Sequence, residues 1–204
     1  EVLKKMKPGM TEQEIVGLAQ AAMYANGAEY EGHPTYVLSG RSSTHAIGRP
    51  SPKIVKPDEM IQLNIGALVS GYSSSVGRPV CFGKMPKTMR ELVQFGLDAH
   101  YKTMEYMKAG VPAAEVVIQF EEFVKAKGYG DYLLYGPCHA IGLMEVERPW
   151  MESSSNYLLQ ENMTFQVDTF LYTKSFGLRW EDGARITKSG VELLSDKFLE
   201  IIEL

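Results

Sequence analysis

Residues 64–80 read NIGALVSGYSSSVGRPV. The stretch has the pattern of two strands joined by a turn, with β-formers on both sides of Ser70-Gly71. Each arm carries one polar residue among apolar neighbours: Asn64 in the first and Ser75 in the second. In such a setting a carboxylate at either place would serve a metal ion. Neither residue is charged, and the fold and chemistry of the chain turn on that fact.

Around this hairpin the sequence repeats itself. MKPGMTEQEIVGLAQAAMYANG begins at Met6 and MKAGVPAAEVVIQFEEFVKAKG begins at Met107, an offset of 101, with 7 of 22 positions identical. Both segments have helical spacing: Ile15, Leu18, Ala19, Ala22 and Met23 form one apolar stripe, and Val116, Val117, Phe120, Phe123 and Val124 the other. Thr11 with Glu14 makes a capping box, Pro112 suits a first helical turn, and Gly27 and Gly128 are C-terminal stops. After each helix come strand-like residues and the tetrapeptide HAIG, at His45 and again at His139. Two halves that each place a histidine after a helix and strands predict a pseudo-twofold α+β domain. Its curved sheet would surround a central site, with helices on the outer face.

A helix over Lys87–Lys108 bridges the halves. Strands are expected at Tyr36–Ser39, Met60–Val69, Tyr72–Phe82, Met163–Tyr172, Gly177–Glu181 and Ala184–Thr187, and the tail from Val191 to Ile202 reads as a strand and a short helical turn. The 204 residues are 45% hydrophobic with a net charge of −4, enough for one stable core. No basic run points to nucleic acid, and no apolar run approaches the ~20 residues of a membrane span. Cys81 and Cys138 read as buried thiols of a reducing cytoplasm. The opening residues, Glu1–Lys7, read as the end of a helix, so the chain is expected to be a fragment lacking an N-terminal part.

Beyond Asn64 and Ser75, three polar residues interrupt apolar stretches: His139 after YGPC, Asp168 in MTFQVDTFLY, and Glu181 in FGLRWED. Burying a carboxylate in a strand is costly without a partner. A plainer reading makes Glu181-Asp182-Gly183 a turn, His33 a loop residue before Pro34, and His100 a surface residue of the bridging helix.

The order of these motifs resembles the pita-bread family of methionine aminopeptidase, aminopeptidase P, prolidase and creatinase. HAIGRPSPKIVKPDEMIQLNIGA is similar to HGRP…GD…DFGA, and GYSSSVGRPV to GYxSDxTRTV. CHAIGLMEVERP is similar to GHGIGLxxHExP, LQENMTFQVDTFL to LxxGMVFTIEPGI, and LRWEDGARITKSG to VRIEDxxxVTxxG. The resemblance covers essentially all of the chain, as one catalytic domain over residues 1–204. It implies that Asn64, Ser75, His139, Asp168 and Glu181 stand where metal-dependent members carry Asp, Asp, His, Glu and Glu around two divalent ions. It also matches Tyr72, Arg78 and Glu147 to pocket positions and His45 to a first-half histidine. Val146 replaces the second histidine of HExP.

Losing both aspartates halves the charge available to two dications. The remaining set resembles creatinase in kind, a member that lacks the same aspartates and works without metal. The resemblance therefore implies a metal-independent hydrolase of a non-peptide C–N bond in a small amidine or guanidine. His139 would be the general acid/base, Asp168 and Glu181 would hold the cation, and His45, Asn64, Tyr72, Ser75, Arg78 and Glu147 would line the substrate site. No cofactor is expected. Two alternatives stand beside this reading. One is an aminopeptidase P- or prolidase-type metallopeptidase with one divalent ion, such as Mn, Co or Zn, on His139, Asp168 and Glu181. The other is an inactive binding module. The resemblance further implies a cytoplasmic homodimer acting on a small molecule or short peptide, without nucleic acid or membrane partners.

Overall fold

The computed structural model describes residues 1–204. The repeated segments form two equivalent helices. Val2–Lys5 (α1) leads into Glu12–Ala25 (α2); Lys87–Tyr106 (α3) bridges the halves; Ala113–Ala126 (α4) is the counterpart of α2. Thr11 and Glu14 make the expected reciprocal cap, and Pro112 stands directly before α4, without a side-chain cap. Gly27 and Gly128 follow the helices with φ of 93° and 81°, the left-handed conformation that glycine adopts without steric cost.

The strands are Tyr30–Glu31 (β1), Tyr36–Ser39 (β2), Met60–Ile65 (β3), Ala67–Val69 (β4), Tyr72–Ser73 (β5), Val76–Cys81 (β6), Cys138–Ala140 (β7), Glu147–Trp150 (β8), Thr164–Tyr172 (β9), Gly177–Ile186 (β10), Val191–Leu193 (β11) and Ile202–Glu203 (β12). The main sheet runs β2-β3-β6-β10-β9-β7-β8, with β11 on β10 and β12 on β6; β1, β4 and β5 form a smaller sheet. Every pairing is antiparallel except β12 with β6. The halves join where β6 meets β10, at Gly77 opposite Glu181 and Val76 opposite Asp182.

The helices cover one face. Ile15 of α2 packs with Val37, Ile61 and Val80. Val116 and Val117 of α4 pack with Phe165 and Val167, and Leu92, Val93 and Phe120 pack with Leu178 and Trp180. This is the expected α+β architecture: a curved, mostly antiparallel sheet with helices outside.

Three local expectations differ. Glu181–Gly183 is no turn, because β10 runs unbroken from Gly177 to Ile186. The tail holds two short strands and no helical turn. His100 is fully buried rather than on a surface. Its Nε2 lies 3.1 Å from Asp182, whose carboxylate also takes Arg78 at 2.6 Å and the Ser195 hydroxyl at 2.8 Å. Asp182 points to the helical side because it is one residue from Glu181, and side chains alternate along a strand.

Candidate active site

Register brings the site together. Asn64 of β3 pairs with Gly77 of β6, Gly77 with Glu181 of β10, and Glu181 with Asp168 of β9. Paired residues share a face, so one row across four strands sets Asn64, Glu181 and Asp168 on the concave side. His139 of β7 pairs with Gln166, two residues from Asp168 and therefore on that side too. Arg179 joins them, two residues before Glu181. Gly77 is required by this crowding: a Cβ there would lie 2.8 Å from the Glu181 Cβ and 2.9 Å from the Arg179 Cγ.

Arg179 is the centre of the cluster. Its Nη1 donates to Asn64 Oδ1 at 2.7 Å, and its Nη2 donates to the Tyr135 hydroxyl at 2.6 Å and to the Ala46 carbonyl at 3.0 Å. Its Nε lies 3.1 Å from Asp168 Oδ1, and Nη1 is 3.6 Å from Glu181. The Nε and Oδ1 atoms are close but not aligned for a hydrogen bond, so this contact is one of charge. Burial opposes the guanidinium charge, but Asp168 outweighs it, with Tyr135 and Glu181, and holds the group well above its usual pKa. Tyr135 in turn donates to Asp168 Oδ2 at 2.7 Å. Burial raises the Asp168 carboxyl, with Arg179 opposing.

Asn64 and Ser75 satisfy one another. Asn64 Nδ2 donates to Ser75 Oγ at 2.8 Å and to Glu181 Oε2 at 3.0 Å. Ser75 Oγ lies 3.0 Å from Nε2 of His33, whose Nδ1 lies 2.8 Å from the Pro34 carbonyl. A neutral ring with its proton on Nδ1 completes both bonds, and burial, which lowers the His33 pKa, favours that form. The hairpin thus offers only neutral groups, bonded to one another, to His33 and to Glu181 and Arg179.

Negative charge gathers on the other side. His139 Nδ1 lies 3.1 Å from the Ala140 carbonyl, which leaves Nε2 as the acceptor, 3.6 Å from Glu145 Oε1. Ligand atoms of His139, Glu145 and Glu181 lie within 4.8 Å of one another. Burial, then the Glu181 and Asp168 charges, push Glu145 up to about 8. Burial would raise Glu181 as well, but Arg179 and then His139 outweigh it and hold Glu181 at about 2. Burial and the neighbouring like charges therefore favour the protonated form of Glu145 while no cation is bound.

A cavity of about 390 Å³ opens beside this cluster. His139, Glu145, Asp168 and Arg179 lie at its polar end, and Ile47, Val146 and Trp150 among its apolar walls. Of the sequence-predicted residues, His139, Asp168 and Glu181 converge, with Asn64 and Ser75 bonded behind them. Arg78 is in the Asp182 network, Tyr72 and His45 are exposed, and Glu147 accepts from the Met144 backbone at 3.0 Å. None of these four lines the cavity. The sequence reading missed Arg179, Tyr135, Glu145 and His33. Arg179 had a signal, since a residue two before Glu181 in a strand shares its face.

The model of metallopeptidase family M24 matches residues 1–188. The chain belongs to this family. It is 28% identical over 201 residues to an Xaa-Pro dipeptidase of Pyrococcus furiosus, an alignment covering 98% of this chain and 58% of that protein. It is likewise 28% identical over 203 residues to an Xaa-Pro dipeptidase of Lactobacillus helveticus, covering 98% and 55%. Among solved structures, the X-Pro aminopeptidase of Thermotoga maritima superposes with a TM-score of 0.95 at 29% identity, covering 100% of this chain and 57% of that one. An Xaa-Pro dipeptidase of Bacillus anthracis gives 0.96 at 27%, covering 100% and 57%. The M24 chain thus spans under three-fifths of these relatives.

These findings correct two expectations. The relatives are named for Xaa-Pro peptides, which overturns the creatinase-like reading of a metal-independent hydrolase of amidines or guanidines. The expectation of no cofactor falls with it: the family is one of metallopeptidases, and His139, Glu145 and Glu181 offer converging donors. The cation that satisfies Asp168 is the chain's own Arg179, not a bound guanidine.

The residues present fit one divalent ion and not two. Asn64 turns an amide N–H, not a carboxylate, toward Ser75 and Glu181. Once Glu145 gives up its proton, three carboxylates, Glu145, Asp168 and Glu181, face one guanidinium, which leaves a deficit equal to a single dication. A second dication would give the buried cluster a net double positive charge, and uncompensated buried charge is costly.

Proposed function

We propose that the chain is a hydrolase of short peptides of the Xaa-Pro kind, working with one divalent ion. The observation that carries this reading is the convergence of His139, Glu145 and Glu181 beside a cavity with apolar walls, in an M24 chain. One imidazole and two carboxylates suit Mn, Co or Zn. When bound, the ion supplies Lewis acidity and an activated water.

The chain's own groups have separate tasks. Ile47, Val146 and Trp150 receive an apolar side chain of the substrate. The Gln166 side-chain amide donates to Glu181 Oε1 at 2.8 Å and to the Ser75 carbonyl at 2.8 Å, and so fixes the carboxylate rotamer. Ile47, Val146 and Trp150 of the cavity wall are exposed, which suits cover by another domain or a second copy, and a homodimer is part of this proposal.

The test is proline release from Xaa-Pro dipeptides with large apolar first residues. We expect turnover with Mn²⁺ that EDTA abolishes and added Mn²⁺ restores. Turnover unaffected by the chelator would overturn the reading. Saturable binding of the same dipeptides without turnover would favour a binding module, the reading suited to the neutral Asn64–Ser75–His33 unit.

A further inference from the structure

The resemblance assigns Asp168 to the ligand set, yet its carboxylate is held by the chain's own groups, one oxygen by a hydrogen bond and the other by charge. Oδ2 accepts from Tyr135 at 2.7 Å, and Oδ1 faces Arg179 Nε at 3.1 Å. Tyr135 and Arg179 are also bonded to each other at 2.6 Å, so carboxylate, phenol and guanidinium form a closed buried triad. Turning Asp168 toward an ion would strip the guanidinium of its nearest anion inside the protein, and breaking one partner from a buried pair is strongly unfavourable.

Glu145 is in the opposite condition. Its carboxylate lies 3.6 Å from His139 Nε2 and converges with Glu181. It sits in the loop between β7 and β8, outside the ladder that fixes Asp168, so its side chain can close on an ion without disturbing strand pairing. Glu181 accepts from Gln166 on one oxygen and Asn64 on the other, and each oxygen keeps a second lone pair.

We propose that Glu145 replaces Asp168 as the acidic ligand, so that the M24 site is rebuilt as a single-ion centre on His139, Glu145 and Glu181. Asp168, one methylene shorter than the Glu of LxxGMVFTIEPGI, is held back by Tyr135 and by Arg179. The Arg179 guanidinium fills the space between Asn64, Asp168 and Glu181. The exchange rests on the reading of the chain as a one-ion hydrolase, and concerns which side chains hold the ion rather than what is cleaved.

The experiment is isothermal titration of the metal-stripped chain with Mn²⁺ alone, comparing the unchanged protein with Glu145→Gln, Asp168→Asn and Tyr135→Phe. Glu145→Gln should weaken Mn²⁺ binding by more than ~100-fold, beyond the range for residues that only support a ligand. Asp168→Asn removes a charge but no ligand, and should still bind Mn²⁺ with a much smaller loss than Glu145→Gln. Tyr135→Phe leaves every charge in place; it should bind within about threefold of the unchanged protein, and decides the question if Asp168→Asn does not fold. Loss of affinity on Asp168→Asn or Tyr135→Phe with Glu145→Gln unaffected would overturn the exchange and leave a one-ion hydrolase standing. Failure of the unchanged protein to bind Mn²⁺ would overturn both. The predicted pattern of affinities without dipeptide turnover would uphold the ligand exchange and remove the activity.

Discussion

At Glu145 the fold places a group that asks for a cation. Unfolded, this carboxyl titrates near 4.5, and in the folded cluster it is pushed up to about 8 by burial and by Glu181 and Asp168. Between those limits the folded metal-free chain holds a proton that the unfolded chain releases, so its stability falls as pH rises through that window. Glu181, held at about 2, works oppositely, and its contribution is lost only as pH falls below 4.5. Glu145→Gln keeps an N–H donor toward Glu181 and cannot ionise. We expect urea unfolding of EDTA-treated protein to show stability declining between pH 5 and pH 8 in the unchanged chain and a flatter profile in the variant. An equal decline in both would remove Glu145 as its source.

The elements show why parts of this were readable from sequence. The repeat, the Thr11–Glu14 cap and the stops at Gly27 and Gly128 are local signals, set by a few neighbouring residues, and they gave helices where helices stand. Asn64, Asp168 and Glu181 were visible because each interrupts an apolar strand. His100 was misplaced because α3 buries residues around much of its circumference, so one polar position does not mark a solvent face. Glu145 lies in irregular backbone, where no period exists to place it, and Tyr135 becomes part of the site only through the fold. Strand crossing supplies the prediction at this scale. Gly77→Ala puts a methyl group 2.8 Å from the Glu181 Cβ between two paired strands. We expect a loss of about 1–3 kcal/mol in unfolding free energy and weakened Mn²⁺ binding, because β10 must shift. An unchanged urea midpoint would show that the junction of the halves yields more easily than the geometry indicates.

The whole molecule is two similar halves closed on one charged cavity, and the two have diverged unequally. The first contributes Asn64, Ser75 and His33, a neutral bonded set. The second contributes His139, Glu145, Asp168, Arg179 and Glu181, which carry nearly all the charge. An M24 fold that loses two carboxylates from one half can stay electrically balanced with one dication fewer, provided the guanidinium keeps its place beside Asp168. That balance is the central claim. Its most direct measurement is the number and coupling of Mn²⁺ ions, by metal analysis after equilibrium dialysis and by electron paramagnetic resonance. The account predicts one Mn²⁺ per chain with the spectrum of an isolated ion, and two exchange-coupled ions per chain, or none, would contradict it.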